Sequence, residues 1–189
     1  MIDLVTEAHQ FQLFCRLLGW QFCFIGGLAV QHWGEPRLTR DIDVTILTGF
    51  GAERDFVSAI LKSYEARRPD AEEFALRHRV LLVQGSSGIG LDISLGAIPF
   101  EEQMIRRAAD VEFLPGIELR LCSREDLIVL KCFASRARDW QDVASVIVRQ
   151  GSDNLDWSYI TSNLEPLAAL KEEPEIIERL SRLKRSEEQ

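Results

Sequence analysis

Residues 25–46 of the chain read IGGLAVQHWGEPRLTRDIDVTI, and this segment combines a glycine pair with two aspartates in an alternating apolar pattern. Apolar and polar residues alternate over residues 39–47, which predicts a half-buried β-strand. Asp41 and Asp43 fall on the same face of that strand. Two carboxylates about 4 Å apart repel each other by roughly 4 kcal/mol at an effective dielectric constant near 20. The pair therefore indicates a bound cation rather than a contribution to stability.

A third acidic residue, Asp92, lies in a second apolar segment between Leu91 and Ile93. Carboxylates on neighbouring strands are suited to divalent cations, and two-metal sites hold their ions about 3.5–4 Å apart. The sequence thus predicts that Asp92 joins the acid pair at one metal site. The alternative is an unrelated α/β domain in which all three aspartates are surface residues.

The glycine pair Gly26-Gly27 follows the short apolar segment 21–25 and precedes the helical segment 28–33. The start of a helix carries unpaired N–H groups and a positive partial charge, which together attract phosphate. An ordinary turn is the alternative for this pair. A second glycine-containing segment, GSSG at 85–88, has no following Lys-Ser/Thr and predicts a hairpin turn rather than a phosphate-binding loop.

The composition excludes several classes of protein. The 189 residues carry a net charge of −8, unlike a protein that coats nucleic acid non-specifically. Its arginine clusters form either a local basic groove or a solvated surface. The four cysteines and three histidines lack the spacing of a zinc site. The cysteines form no C-x-x-C pair and indicate reduced thiols. The sequence predicts neither a signal peptide nor a membrane span, and hence a cytoplasmic protein.

The order of predicted elements indicates a mixed α/β (α+β) fold. Helices are predicted over 3–18 and 52–64, and two hairpins over 79–96 and 111–123. From Ser123 onward the pattern is mostly helical. We therefore predict a mixed-sheet core and a C-terminal helical subdomain. The predicted domains are 1–122 and 123–189.

Lys131 interrupts the apolar helical segment 127–134. A buried ammonium group needs an anionic partner. An uninterrupted helix would put Arg138 and Asp142 on the same face as Lys131, whereas a break near Ser135 would change that alignment. The alternative is a lysine that extends its ammonium group to solvent.

Together these motifs resemble the nucleotidyltransferase superfamily typified by DNA polymerase β. Within it they are most similar to bacterial abortive-infection nucleotidyltransferase toxins of the AbiEii kind and their small relatives. The resemblance rests on Gly26-Gly27-Leu28-Ala29, Arg37-Leu38-Thr39-Arg40-Asp41-Ile42-Asp43, Leu91-Asp92-Ile93, Lys131 and Asp139-Trp140-Gln141-Asp142.

The resemblance implies a mixed-sheet nucleotidyltransferase core and an enzyme that moves a nucleoside monophosphate from a nucleoside triphosphate to an acceptor hydroxyl. Asp41, Asp43 and Asp92 would be the catalytic residues and the ligands of Mg²⁺ (or Mn²⁺). The implied nucleotide-binding residues are Gly26, Gly27, Arg37, Thr39, Arg40, Lys131 and Asp142.

The implied acceptor is an RNA 3′ end, a protein or a small molecule. The resemblance also implies a toxin of a toxin–antitoxin system, with a cognate antitoxin as a partner and no membrane partner. The alternative function is that of a catalytically inactive relative, which would act as a protein-interaction or regulatory module.

Overall fold

The computed structural model describes residues 2–187 of the chain, with side chains for residues 3–186. The predicted helices and strands occur in the predicted order, but the structure adds a two-residue strand and an eight-residue helix over 65–78 that the sequence pattern did not predict. The helices are α1 Ile2–Leu17, α2 Gly26–Trp33, α3 Glu53–Leu61, α4 Ala71–His78, α5 Pro99–Arg107, α6 Arg124–Ala134, α7 Ala137–Gln150, α8 Trp157–Lys171 and α9 Glu175–Glu187. The strands are β1 Phe22–Phe24, β2 Asp41–Leu47, β3 Glu65–Ala66, β4 Val80–Gln84, β5 Gly90–Gly96, β6 Ala109–Leu114 and β7 Ile117–Leu121.

The strands form one seven-stranded mixed sheet in the order β3-β4-β5-β2-β1-β7-β6. Strand β2 lies at its centre, parallel to β5 and antiparallel to β1. The two predicted hairpins, β4–β5 and β6–β7, are both present and antiparallel. The predicted mixed α/β class is therefore confirmed.

Strand β2 is amphipathic, as its alternation predicts. Its residues Ile42, Val44 and Ile46 are inaccessible to solvent, and so are Leu91 and Ile93 of β5. These residues share one hydrophobic core with side chains of α1, α3 and α4. Side chains on a strand alternate between faces, so the acidic residues between them lie on the opposite face of the sheet.

The buried side chain of Gln12 on α1 completes the pairing of β7. Strand β1 is three residues long and pairs with β7 through Phe24, opposite Leu121. Next to this pair, Gln12 Nε2 donates to the Glu118 carbonyl at 2.7 Å, and Gln12 Oε1 accepts from the Arg120 N–H at 2.8 Å. The side-chain amide thus supplies hydrogen bonds that a longer neighbouring strand would have made.

The chain divides into two compact units. The first consists of residues 2–28 and 38–122 and contains the whole sheet. The second consists of residues 29–37 and 123–187 and includes α6, α7, α8 and α9. The sequence pattern predicts four C-terminal helices, over about 124–135, 137–150, 156–170 and 174–185, and the observed helices begin and end within two residues of these bounds. The domains 1–122 and 123–189 themselves stay a prediction.

Within residues 2–187, no helix is long and apolar enough to cross a bilayer.

We expect the substitution Gln12→Leu to lower the free energy of unfolding by about 2–4 kcal/mol, because it removes the partner of two part-buried backbone groups, at about 1–3 kcal/mol each. Urea denaturation of the full chain measures this loss. The matched control is Gln10→Leu, an exposed position on the same helix, which should change stability by less than about 0.5 kcal/mol. Equal effects of the two substitutions would contradict the assigned role of Gln12.

Candidate active site

Three carboxylates, Asp41, Asp43 and Asp92, lie together on the sheet, and we call them the acidic cluster. Asp43 on β2 is directly opposite Asp92 on the parallel strand β5. Neighbouring strands lie about 4.8 Å apart, so these two side chains are adjacent on one face. Asp41 precedes Asp43 by two residues and therefore shares that face. The side chains of Asp41 and Asp92 are 52% and 38% exposed, so the cluster is open to solvent.

The glycine pair allows the start of α2 to lie against the acidic cluster. Gly26 has φ +57°, and a Cβ atom there would lie 2.7 Å from the Cβ of Asp43. A Cβ atom on Gly27 would lie 2.6 Å from the Cβ of Thr39. The Gly27 N–H donates to Asp43 Oδ2 at 3.3 Å. Glycine is therefore required at both positions because the backbone lies so close to Asp43 and Thr39, a reason that the sequence did not reveal. The contact of these glycines with phosphate stays a prediction.

Thr39 and Arg40 lead into β2. Thr39 Oγ1 donates to the Asp41 carbonyl at 3.2 Å and packs against Gly27. Arg40 is exposed. Thr39 thus joins the chain before β2 to the start of α2, and the predicted contact of Thr39 and Arg40 with nucleotide stays a prediction.

A residue that the sequence did not assign to the site, Arg67, bridges the acidic cluster. Its Nη2 contacts Asp92 Oδ1, and its Nη1 lies 3.5 Å from Asp41 Oδ1. A Cβ atom on Gly90 would lie 3.2 Å from the Arg67 Cζ and 2.5 Å from Asp41 Oδ1. The absence of a side chain at Gly90 therefore leaves room for this bridge. In the sequence, Arg67 was one member of a small arginine cluster with no visible link to the acids.

The electrostatics of the acidic cluster are not fully balanced. Burial raises the pKa of Asp92, and the negative charge of Asp41 raises it further. The charge and hydrogen bond of Arg67 oppose this shift, but the net pKa is still above the usual aspartate range. One arginine therefore does not offset the burial and mutual repulsion of the carboxylates, so the cluster favours additional positive charge.

The acidic cluster has the ligand type that a magnesium site requires. Carboxylate oxygens are hard donors, which Mg²⁺ prefers. Among residues 2–187, however, no three acidic, histidine or cysteine side chains are arranged as ligands of one ion. The guanidinium of Arg67 lies between Asp41 and Asp92 and contacts both. The residues thus fit a divalent cation in kind, and in this arrangement a side chain supplies the positive charge.

In the second unit, Lys131 is buried between two carboxylates. It is 8% exposed, and its Nζ lies 3.0 Å from Asp139 Oδ1 and 2.8 Å from Asp142 Oδ2. The predicted need for an anionic partner is confirmed, and the alternative of a solvent-exposed ammonium group is wrong. The helix breaks at Ser135, which has φ +57°, and Arg138 beyond the break is exposed.

Two arginines complete this group, which we call the lysine cluster: Arg37, Lys131, Arg136, Asp139 and Asp142. The Nε and Nη2 atoms of Arg37 donate to the two carboxylate oxygens of Asp142 at 2.7 and 2.8 Å. Arg136 Nε donates to Asp139 Oδ2 at 2.7 Å. Asp142 therefore orients both Lys131 and Arg37, while the predicted contact of these residues with nucleotide stays a prediction.

The pKa values of Asp139 and Asp142 reflect these partners. Burial by itself raises the pKa of each carboxyl group. Hydrogen bonds and charges from Arg136 and Lys131 outweigh burial at Asp139, and those from Arg37 and Lys131 outweigh it at Asp142. Both net pKa values are therefore below the usual aspartate range, and both groups are ionised at neutral pH.

The sequence matches a family model over most of the chain. The family model described as nucleotidyl transferase AbiEii toxin, type IV TA system, matches residues 11–160. No curated protein gives a significant match.

Solved structures of similar fold include three that cover most of the chain. An antigenic nucleotidyltransferase-like protein from Paracoccidioides brasiliensis has 16% identity and a TM-score of 0.55, with 96% of this chain and 93% of that chain covered. The antibiotic-resistance factor ANT(2″)-Ia in solution has 15% identity and a TM-score of 0.57, with 96% and 98% covered. Its crystal structure with adenylyl-2″-tobramycin has 14% identity and a TM-score of 0.55, with 88% and 98% covered. At these identities the likeness shows the fold alone.

We expect Lys131→Met to destabilise the protein by about 3–5 kcal/mol at neutral pH, because it removes one partner from a buried ionic group. The depressed pKa values of Asp139 and Asp142 mean that their ionised forms stabilise the folded state above the unfolded-state pKa of about 3.9. That stability is lost as the pH falls through the lower pKa values that Asp139 and Asp142 have in the folded state.

The deficit of Lys131→Met should therefore be largest near pH 7 and should shrink below about pH 4, where the carboxyl groups begin to take up protons. Urea denaturation of wild type and variant at a series of pH values from below pH 4 to pH 7 measures this difference in stability. Lys184→Met, in α9, serves as the matched control outside the lysine cluster. A deficit independent of pH would contradict the ionic role of Lys131.

Proposed function

The chain belongs to the AbiEii nucleotidyltransferase toxin family, and we propose that it transfers a nucleoside monophosphate from a nucleoside triphosphate to an acceptor hydroxyl with the aid of Mg²⁺ or Mn²⁺. The observation that carries this proposal is the register of β2 against β5, which brings Asp43 opposite Asp92 with Asp41 on the same face. An arrangement of like charges on apolar strands is costly without a cation. A purely structural domain or a binding module has no need of it.

Asp41, Asp43 and Asp92 would hold the metal. When bound, a divalent metal supplies positive charge that offsets the phosphates and polarises the reacting phosphoryl group. Of the three side chains, Asp43 already accepts a hydrogen bond from the start of α2, while those of Asp41 and Asp92 face solvent. The two exposed carboxylates are therefore the ones that an incoming substrate meets first.

In the proposed reaction, the acceptor oxygen forms a bond to the α-phosphorus while the bond from that phosphorus to the bridging oxygen breaks. Pyrophosphate leaves with the electron pair of the broken bond. We assign Asp92 to accept the proton of the attacking hydroxyl, because it is a half-buried carboxylate of the acidic cluster that solvent still reaches.

The backbone at Gly26 and Gly27 would position the triphosphate. Both residues lie at the start of α2, where the N–H groups and the positive end of the helix attract phosphate. Thr39 and Arg40 are assigned to nucleotide binding from the same unit. In the second unit, Lys131 and Arg37 are assigned to it as well, with Asp142 holding both cations in a fixed orientation.

The family description supports a toxin of a type IV toxin–antitoxin system, so we propose a cognate antitoxin as partner. The acceptor is a hydroxyl of RNA, of a protein or of a small molecule, and the reaction takes place in the cytoplasm, where nucleoside triphosphates are available. The structural likeness to a protein solved with adenylyl-2″-tobramycin supports including a small-molecule acceptor in the test.

We expect Asp43→Asn to lower nucleotidyl transfer by at least about 100-fold, because positioning and charge stabilisation supply most of the catalysis in phosphoryl transfer. The amide oxygen of asparagine can still accept the hydrogen bond from Gly27, so the fold should be retained. The matched control is Asp55→Asn, an exposed acidic residue on α3, which should leave transfer unchanged.

Transfer is measured as label from each of the four α-labelled nucleotides on RNA, protein and small molecules of a bacterial lysate, separated after the reaction. Circular dichroism checks that each variant is folded. Wild type that labels none of the three fractions, or an Asp43→Asn variant that labels as well as wild type, would contradict the proposed reaction.

A further inference from the structure

Arg67 is the cation that contacts two carboxylates of the acidic cluster, and its place there suggests more than a fixed ion pair. We propose that Arg67 is an exchangeable counter-ion: it pairs with Asp41 and Asp92 in the resting protein, releases them when the metal–nucleotide complex binds, and then pairs with phosphate oxygens of the nucleotide. This inference rests on the proposed function of the same site and names a further nucleotide-binding residue for it.

The position of Arg67 is one that a bound metal would require. Its guanidinium contacts Asp92 and lies within 3.5 Å of Asp41, and these are two of the three carboxylates assigned to the metal. A guanidinium and a divalent cation cannot both occupy the space between the same two carboxylates. Metal binding at the acidic cluster therefore requires Arg67 to move.

The surroundings of Arg67 allow its side chain to move while its backbone stays fixed. The Arg67 N–H donates to the Leu82 carbonyl at 3.1 Å, which ties the backbone to β4. The partner carboxylates are exposed, and ion pairs of this kind contribute little to stability. The guanidinium can thus leave Asp41 and Asp92 without disturbing the sheet.

A second arginine of the same unit shows what a fixed structural arginine looks like. Arg79 Nη2 donates to the Gly49 carbonyl at 3.1 Å and also contacts the Leu95 carbonyl, while its Nη1 contacts Glu53. Displacing Arg79 would leave these backbone carbonyls without their hydrogen-bond donor, which would destabilise the fold. Arg67 instead contacts carboxylates, which are the groups that the proposed reaction gives to the metal.

The released guanidinium has the chemistry to bind the incoming phosphates. Arginine presents a planar fork of N–H donors that matches phosphate oxygens, and such charge-assisted hydrogen bonds are short and strong. The carboxylates attract the metal, and the displaced arginine then balances the negative charge that the nucleotide brings. Arg67 therefore exchanges one anionic partner for another, and its own positive charge stays paired in both states.

The test compares Arg67→Ala with wild type in the full chain. The matched control is Arg68→Ala, because Arg68 is the next residue and pairs with Asp70 rather than with the acidic cluster. Two affinities are measured by calorimetry: that for Mn²⁺ alone, and that for non-hydrolysable analogues of the four nucleoside triphosphates in excess Mg²⁺.

We expect Arg67→Ala to bind Mn²⁺ about two- to fivefold more tightly than wild type, because no weak ion pair has to be broken first. We expect the same variant to bind the nucleotide analogue at least about tenfold more weakly, because one charge-assisted phosphate contact is lost. Arg68→Ala should match wild type in both affinities. Arg67→Lys keeps the positive charge but lacks the planar set of N–H donors, so both of its affinities should lie between those of wild type and Arg67→Ala. This variant replaces Arg67→Ala in the test if Arg67→Ala does not fold.

The opposite movement of the two affinities separates this proposal from its alternatives. Unchanged Mn²⁺ affinity in Arg67→Ala would overturn the exchange, and tighter Mn²⁺ binding with unchanged nucleotide affinity would overturn the phosphate contact. In both cases the wild type still binds metal and nucleotide, so the proposed function survives. Wild type that binds neither Mn²⁺ nor any analogue would overturn both proposals together.

Discussion

The parallel pairing of β2 with β5 is the constraint on which the site depends. Its register places Asp43 opposite Asp92, and the apolar residues on either side of them anchor both strands in one core. A shift of one residue would turn the acids into the core and the core residues into solvent. The burial of the apolar face therefore fixes the position of the carboxylates, and the repulsion between them is tolerated because the core holds the strands.

Two further features follow from this crowding of negative charge. The start of α2 carries the glycines because it must lie against Asp43 without side chains of its own. Arg67 supplies a positive charge, and Gly90 makes room for it next to Asp41. In the second unit, the lysine cluster has the opposite arrangement of charge, because there a buried cation lies between two carboxylates.

Most of the fold could be predicted from the sequence because its helices and strands produce recognisable local patterns of apolar and turn residues. Strand β2 shows its alternation, the two hairpins show their turn residues, and the C-terminal helices show their caps and period. The acid pair, the third acid and the glycine pair were also visible. Their apolar flanks marked them as strand residues rather than loop residues.

The contacts that the sequence did not reveal join residues across long separations. Arg67 contacts Asp92 from 25 positions away, and this contact depends on β3, a two-residue strand too short to show any period. Arg37 binds Asp142 across 105 positions, and Gln12 accepts a hydrogen bond from Arg120 across 108. Contacts of this kind leave no local pattern, so a single sequence offers no means of pairing their members.

If the acidic cluster is a divalent metal site, Mn²⁺ bound there will broaden the NMR signals of the residues that surround it. In the ¹H–¹⁵N spectrum of the assigned wild-type protein, substoichiometric Mn²⁺ with a non-hydrolysable nucleotide should broaden the amide signals of Gly26, Gly27, Asp41, Asp43 and Asp92 first, because broadening falls steeply with distance from the ion. The Asp43→Asn variant should lose this pattern. Broadening that begins at other acidic residues, or that is the same in Asp43→Asn, would show that the metal binds elsewhere.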